Sequence, residues 1–281
     1  MRRFRSLSVA FRPPDSEGGS AVKHRLPFSM LLICFLQFLT IGCSGSSLLP
    51  TRNLVAYYPF NGDARDVSGN GRHGSPSGGV TWTADRFGNP GRAADFNGRD
   101  ASISIDDPDQ ALNFDANSHW YSVSCWVKLD ALPRNRDMEI MIDRGTSEDS
   151  PASYDIFYRG SLGSFVADVW DGTINIIVPS KTKPVPDVWY HLVMVADRER
   201  IRLYVNGKRE LSYDGASWPE SIPPRFKSTF NTQKLRTIGD FKPEWVNGHH
   251  YFNGVIDDVR VYSLALTEDE ILSLYHEKDR K

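Results

Sequence analysis

The chain has 281 residues, 40% hydrophobic and 12% aromatic, which is enough apolar material for a sizeable core and excludes the apolar-poor regime of disorder. Its 33 Lys and Arg nearly balance 35 Asp and Glu. With no basic stripe interleaved with aromatics, the electrostatic footprint of a nucleic-acid binder is missing.

Lys23, His24 and Arg25 precede an apolar stretch from Met30 to Ile41, broken by Gln37 and Thr40. That stretch is too short to span a bilayer and fits the apolar region of an export signal. It ends in Thr40-Ile41-Gly42-Cys43, followed by Ser44-Gly45-Ser46-Ser47. This run resembles a bacterial lipobox, which implies acylation of Cys43 and a membrane anchor in the cell envelope. Leu39 stands one place earlier than the usual Leu, so plain secretion is the alternative. Met1 to Ala21 form a long Arg-bearing leader, and Val22 is a candidate second start. Residues 1–43 therefore read as leader and signal, 44–52 as a tether, 53–276 as one domain and 277–281 as a tail. Of three Cys, only Cys125 lies within the domain, which excludes an intramolecular disulfide there. Its alternation with Val123 and Val127 predicts a buried, inert thiol.

From Leu54 onward, short apolar-alternating runs follow one another between turn residues, the pattern of strands. They are Leu54 to Phe60, Val80 to Thr83, Ala93 to Phe96, Ala101 to Ile105, Tyr121 to Leu129, Met138 to Asp143 and Tyr154 to Tyr158. Phe165 to Trp170, Thr173 to Val178, Trp189 to Ala196, Ile201 to Val205, Lys208 to Leu211, Leu235 to Ile238 and Gly254 to Tyr262 complete the series. Asp171-Gly172 and Asn206-Gly207 suit the positive φ angles of type I′ hairpin turns, so their flanking strands are antiparallel. Ile201, Leu203 and Val205 point one way and Arg202 and Tyr204 the other, and two sheets of this kind stack as a sandwich. Thr267-Glu268-Asp269-Glu270 is a capping box, and Ile271, Leu274 and Tyr275 follow at helical spacing. The expectation is an all-β, two-sheet antiparallel sandwich with a short C-terminal helix.

Several stretches resemble one family, the laminin-G-like jelly rolls of the concanavalin A-like lectin/glucanase superfamily. The most specific is Leu54 to Gly74, containing Tyr57-Tyr58-Pro59-Phe60-Asn61-Gly62-Asp63 and Asp66-Val67-Ser68-Gly69-Asn70-Gly71. Val123 to Lys128, Trp189 to Val193 with Leu203 to Gly207, and Phe252 to Tyr262 leading to Thr267 follow in order. The resemblance implies a curved jelly roll, usually a binding or adhesion module and often calcium-bearing; this step is analogy.

Asn61, Asp63, Asp66, Ser68 and Asn70 gather the oxygen groups a hard cation needs, although their spacing is not an EF-hand. Period two in the last strand places Asp257 in a row with Val255, Val259 and Val261. A carboxylate there needs a metal, another cation or several N–H donors. In similar jelly rolls the opening loop and the last strand meet at a structural calcium, which nominates Asp63, Asp66, Asn70 and Asp257. The alternative is that the loop makes Asx-turns and Asp257 accepts from backbone or hydroxyl groups. Asp258 is expected to pair with Arg260 or a neighbouring strand at the surface.

Trp126 and Trp189 read as core. Trp170, Trp218 and Trp245 fall where rings could stack on sugars, with Asn247, His249, Asp171 or Arg159 as polar contacts. The glucanase relatives carry acids at alternate positions on one strand. Glu139 to Asp143 has acids at its ends only, with Met141 between, and fails that test. These readings point to a non-catalytic module for glycan or another extracellular ligand. The alternative is a protein-interaction or adhesion module of an envelope assembly with no sugar site.

Overall fold

The alternation seen in the sequence becomes two antiparallel sheets in the computed structural model, which describes residues 49–114, 120–145, 152–170, 175–197, 201–210, 234–241 and 250–279. The strands are β1 (Leu54–Tyr58), β2 (Gly74–Ser77), β3 (Thr81–Thr83), β4 (Ala93–Asn97), β5 (Ser102–Ile105), β6 (Tyr121–Leu129), β7 (Met138–Gly145) and β8 (Ala152–Arg159). They continue as β9 (Ser164–Trp170), β10 (Asn175–Pro179), β11 (Trp189–Ala196), β12 (Ile201–Val205), β13 (Lys208–Glu210), β14 (Lys234–Ile238) and β15 (Asn253–Tyr262), with helix α1 at Glu268–Tyr275. The first sheet runs β13-β12-β11-β6-β15-β4-β3, with β1 also on β15; the second runs β10-β9-β8-β7-β14-β5-β2. This is the jelly-roll sandwich expected from the sequence, and the described residues all belong to one compact unit.

Period two decides what is buried. Tyr121, Val123, Cys125, Val127 and Leu129 of β6 enter the core between the sheets, where they share it with Tyr154, Ile156 and Tyr158 of β8 and Phe165, Ala167 and Val169 of β9. Cys125 is buried and free, and burial pushes its thiol up to about 12, so it is inert at neutral pH. Asn206 and Gly207 take φ of 51° and 73° between β12 and β13, as a type I′ turn requires. Asp171-Gly172 lies outside the described residues, although β9 and β10 pair antiparallel on either side of it. β2 has no apolar alternation and was not foreseen. It is the outermost strand of its sheet, where Pro76 costs little.

A second apolar layer lies on the outer face of the first sheet. Ile271 and Leu274 of α1 pack there with Val193, Val195, Tyr204 and Tyr262. Both bonds of the capping box form, Glu270 N–H to Thr267 Oγ1 at 3.3 Å and Thr267 N–H to Glu270 Oε2 at 2.9 Å. Such a cap stabilises by about 1 kcal/mol.

The strand that matters most is irregular. In β15, Asp257 pairs with Trp126 and Arg260 with Ser124, so Asp258 and Val259 together oppose Cys125. Asp258 has φ 50°, a left-handed conformation that Asp tolerates better than most residues. This bulge shifts the alternation by one. Ile256, Val259 and Val261 face the core, and Asp257 does not join them. The expected apolar row containing Asp257 is thus corrected. Trp189 is corrected too, while Trp126 is buried as expected, although not between the sheets. Trp126 is buried on the outer face against the His191 and Tyr275 rings, and Trp189 is half-buried with the Lys128 ammonium 5.6 Å from its ring.

Candidate functional site

A cavity of about 480 Å³ opens where the first loop meets the last strand. Asn61 and Val67 of the loop, Arg86 and Phe87 of the β3–β4 connection, and Asp257 and Asp258 of β15 are among its lining. Phe87 is 42% exposed and Val67 55%, so apolar groups share the rim with Arg92, Lys278 and Asp279 above a charged floor.

That floor is an ionic knot built on the bulge. The side chain of Arg86 is only 6% exposed; its Nη1 lies 3.2 Å from Asp257 Oδ2 and 2.5 Å from Asp258 Oδ2, and its Nη2 lies 3.6 Å from Glu277 Oε2. Its guanidinium carbon sits 4.4 Å from the Phe87 ring centroid and 4.6 Å from that of Trp126. A desolvated cation between two rings gains up to about 2 kcal/mol. Arg260 Nη2 donates to Tyr57 Oη at 2.9 Å and to Glu277 Oε2 at 2.9 Å, and pairs with Asp258 Oδ1 at 3.2 Å. Tyr57 Oη in turn donates to Asp258 Oδ1.

Three buried carboxylates thus meet two guanidinium groups, and the protonation states divide accordingly. Burial and then the neighbouring Asp258 charge push the Asp257 carboxyl up to about 8. Burial also opposes ionisation of Asp258, but Arg260 and Arg86 outweigh it and hold that group below the usual carboxylate range. Burial, then Arg260 and Arg86, press the His191 imidazole down to about 3, so it is neutral, with Nε2 2.9 Å from Ser124 Oγ. Asp258 does pair with Arg260, as the sequence suggested, but in a buried site rather than at the surface. Glu277, assigned to the tail by sequence, is buried in the same knot.

The four residues nominated for calcium are each committed elsewhere. Asp63 is exposed and accepts the Arg65 N–H at 3.0 Å. Asp66 accepts N–H groups from Tyr57, Ser68 and Arg72 at 2.9, 2.9 and 3.0 Å; burial opposes its ionisation, yet those bonds hold its carboxyl below the usual range. Asn70 donates its side-chain amide to the carbonyls of Leu54 and Val55 at 3.0 and 2.9 Å. Asp257 faces Arg86. Among the described residues no group of three or more His, Cys, Asp or Glu side chains could hold a metal ion. The opening loop and the last strand do meet, but the donor set does not fit calcium.

Trp218, Trp245, Asn247, His249 and Asp171 lie outside the described residues, as does Cys43. Trp170 ends β9, and its side chain is likewise outside them. Arg159 stands 3.8 Å from Asp137 and over the Phe157 ring. Glu139 and Asp143 do not share a face. A register shift after Glu139 places Glu139 opposite Phe157 and Asp143 opposite the core residue Tyr154. Burial, and then the charge of the neighbouring Asp155, raise the Glu139 carboxyl well above the ordinary range.

Sequence reasoning passed over Arg86. The available signal was the charge count: Asp257-Asp258 in one strand with only Arg260 nearby requires a cation from elsewhere in the chain.

A laminin-G model described as the concanavalin A-like lectin/glucanases superfamily matches residues 97–272, more than half of the chain. The chain belongs to that superfamily. The matched span begins after the opening loop and Arg86. Domain 4 of AbnA, a GH43 extracellular arabinanase from Geobacillus stearothermophilus, in complex with arabinotriose, aligns with a TM-score of 0.55 and 21% identity, over 80% of this chain and 98% of that one. The receptor binding domain of botulinum neurotoxin C/D mosaic serotype gives 0.56 and 14%, over 80% of this chain and 51% of that one. A Trypanosoma rangeli sialidase mutant displaying trans-sialidase activity gives 0.53 and 16%, over 81% of this chain and 33% of that one. At these identities the likeness is one of fold, and the chain spans about half of the toxin domain and a third of the sialidase. No curated protein sequence matches the chain.

Proposed function

We propose that this superfamily member is a non-catalytic carbohydrate-binding module, exported and held in the envelope through Cys43, with the Phe87 cavity as its sugar site. The observation that carries the reading is an exposed aromatic ring beside buried carboxylates and a guanidinium in one cavity of about 480 Å³. That size is in the range that takes a small ligand. The C–H face of a sugar packs on a ring, while its hydroxyls need acceptors and donors in fixed places. Asn61 and Lys278, exposed on the lining of the same cavity, supply an acceptor and donors for those hydroxyls. Sugar binding by the arabinanase domain of the same fold agrees with this reading.

A glycan array probed with the purified protein tests it. Binding to at least one glycan is expected, falling about tenfold or more in Phe87→Ala, which corresponds to roughly 1.4 kcal/mol. Binding lost in Trp245→Ala and retained in Phe87→Ala would move the site to Trp245. An array blank for the wild type would end the sugar reading in favour of a protein partner.

A further inference from the structure

We propose that Arg86 and Arg72 are the resident cations of this domain: two internal guanidinium groups make the cross-links expected of calcium, and the fold closes without a divalent ion. Calcium requires six to eight oxygen ligands with lone pairs free to face it. Here the buried part of the donor set is turned to bonds within the protein. Asp66 receives three backbone N–H groups. Asp258 receives Tyr57, Arg86 and Arg260. Asn70 presents its amide N–H groups to the loop rather than its carbonyl.

On the other flank of the opening segment, Arg72 repeats the arrangement. Its Nε lies 3.0 Å and its Nη2 2.5 Å from Asp107 Oδ1 and Asp109 Oδ2 respectively, and its Nη1 donates to the Val55 carbonyl at 3.0 Å. The same residue's backbone N–H holds Asp66, so one arginine joins the loop, β1 and the β5–β6 connection. Arg86 joins the β3–β4 connection, the last strand and Glu277. A guanidinium carries one delocalised charge and five N–H groups in a fixed plane, and so can bridge several oxygens at once.

The test uses the full chain. Its melting temperature is expected to be the same, within about one degree, in excess EDTA and in millimolar calcium, whereas an ion bound to the native state would shift it measurably. Terbium is expected to give no emission sensitised through Trp126, whose ring lies against Arg86. A melting temperature that falls in EDTA and is restored by calcium, or saturable terbium emission displaced by calcium, would overturn the proposal. Arg86→Met should melt several degrees lower in both buffers. An unchanged melting temperature in that variant would also overturn it. The wild-type comparison needs no variant and decides alone if Arg86→Met cannot be purified.

Discussion

Each sheet carries a group of buried acids away from the sandwich core, and the two groups are neutralised differently. On the first sheet Asp257, Asp258 and Glu277 surround Arg86 and Arg260, so opposite charge does most of the work. On the second, Glu139 on β7 lies with Asp155 and Asp168 of β8 and β9, and Glu139 keeps its proton because burial and Asp155 make ionisation unfavourable. Burial penalises a charge in both places; Arg86 and Arg260 hold Asp258 ionised in spite of it, while Asp257 and Glu139, each beside a second acid, are pushed up. The difference matters because a paired charge is fragile to substitution and a neutral acid is not.

Replacing one partner in the first group should therefore have the largest effect. Asp258→Asn leaves Arg86 and Arg260 short of an anion while keeping a residue that tolerates the bulge. It is expected to cost about 3–5 kcal/mol, seen as a fall of roughly 6–20 °C in a calorimetric melt. A loss within the error of the melt would show that Asp258 is not the anchor of the knot.

The next largest effect is on pH dependence. The His191 imidazole is depressed to about 3, so the unfolded chain takes up a proton that the fold refuses, and stability falls as pH drops from about 6.5 toward 3. Asp257 is raised to about 8, so the folded state holds a proton that the unfolded chain has lost, and stability falls as pH rises from about 4 toward 8. Melting temperatures across pH should form a dome whose acid limb flattens in His191→Gln and whose alkaline limb flattens in Asp257→Asn. If Asp257→Asn leaves the alkaline limb unchanged, the carboxyl is fully ionised in the fold.

The smallest effect is expected on the second sheet. Glu139→Gln exchanges one neutral group for another and should change stability by less than about 1 kcal/mol in urea titration. A loss of several kcal/mol would mean that Glu139 is ionised and tied to a cation, erasing the contrast between the two groups.

The fold was legible because period two is a local signal. The limits of Tyr121–Leu129, Trp189–Ala196 and Ile201–Val205 follow from alternation alone, and the capping box from four consecutive residues. The site was less legible, since its decisive features are not local. A bulge depends on Asp258 adopting φ 50°, which no composition rule announces, and it reverses the facing of every residue upstream relative to Val259 and Val261. Strict alternation therefore assigned Asp257 to the wrong face. Arg86 lies 171 residues from Asp257, and only the fold brings them together. Trp126 matched a core pattern because burial under a helix and burial between sheets select the same residue type.

The pairing of β1 with β15 has a consequence for how the chain is assembled. Tyr57 must wait through 201 residues before Asp258 exists to receive its hydroxyl, and Arg260 waits for Glu277 almost at the end of the chain. Contacts of such sequence separation make folding slow. Until the last strand is present the first has no neighbour to pair with, so this edge of the sandwich closes late.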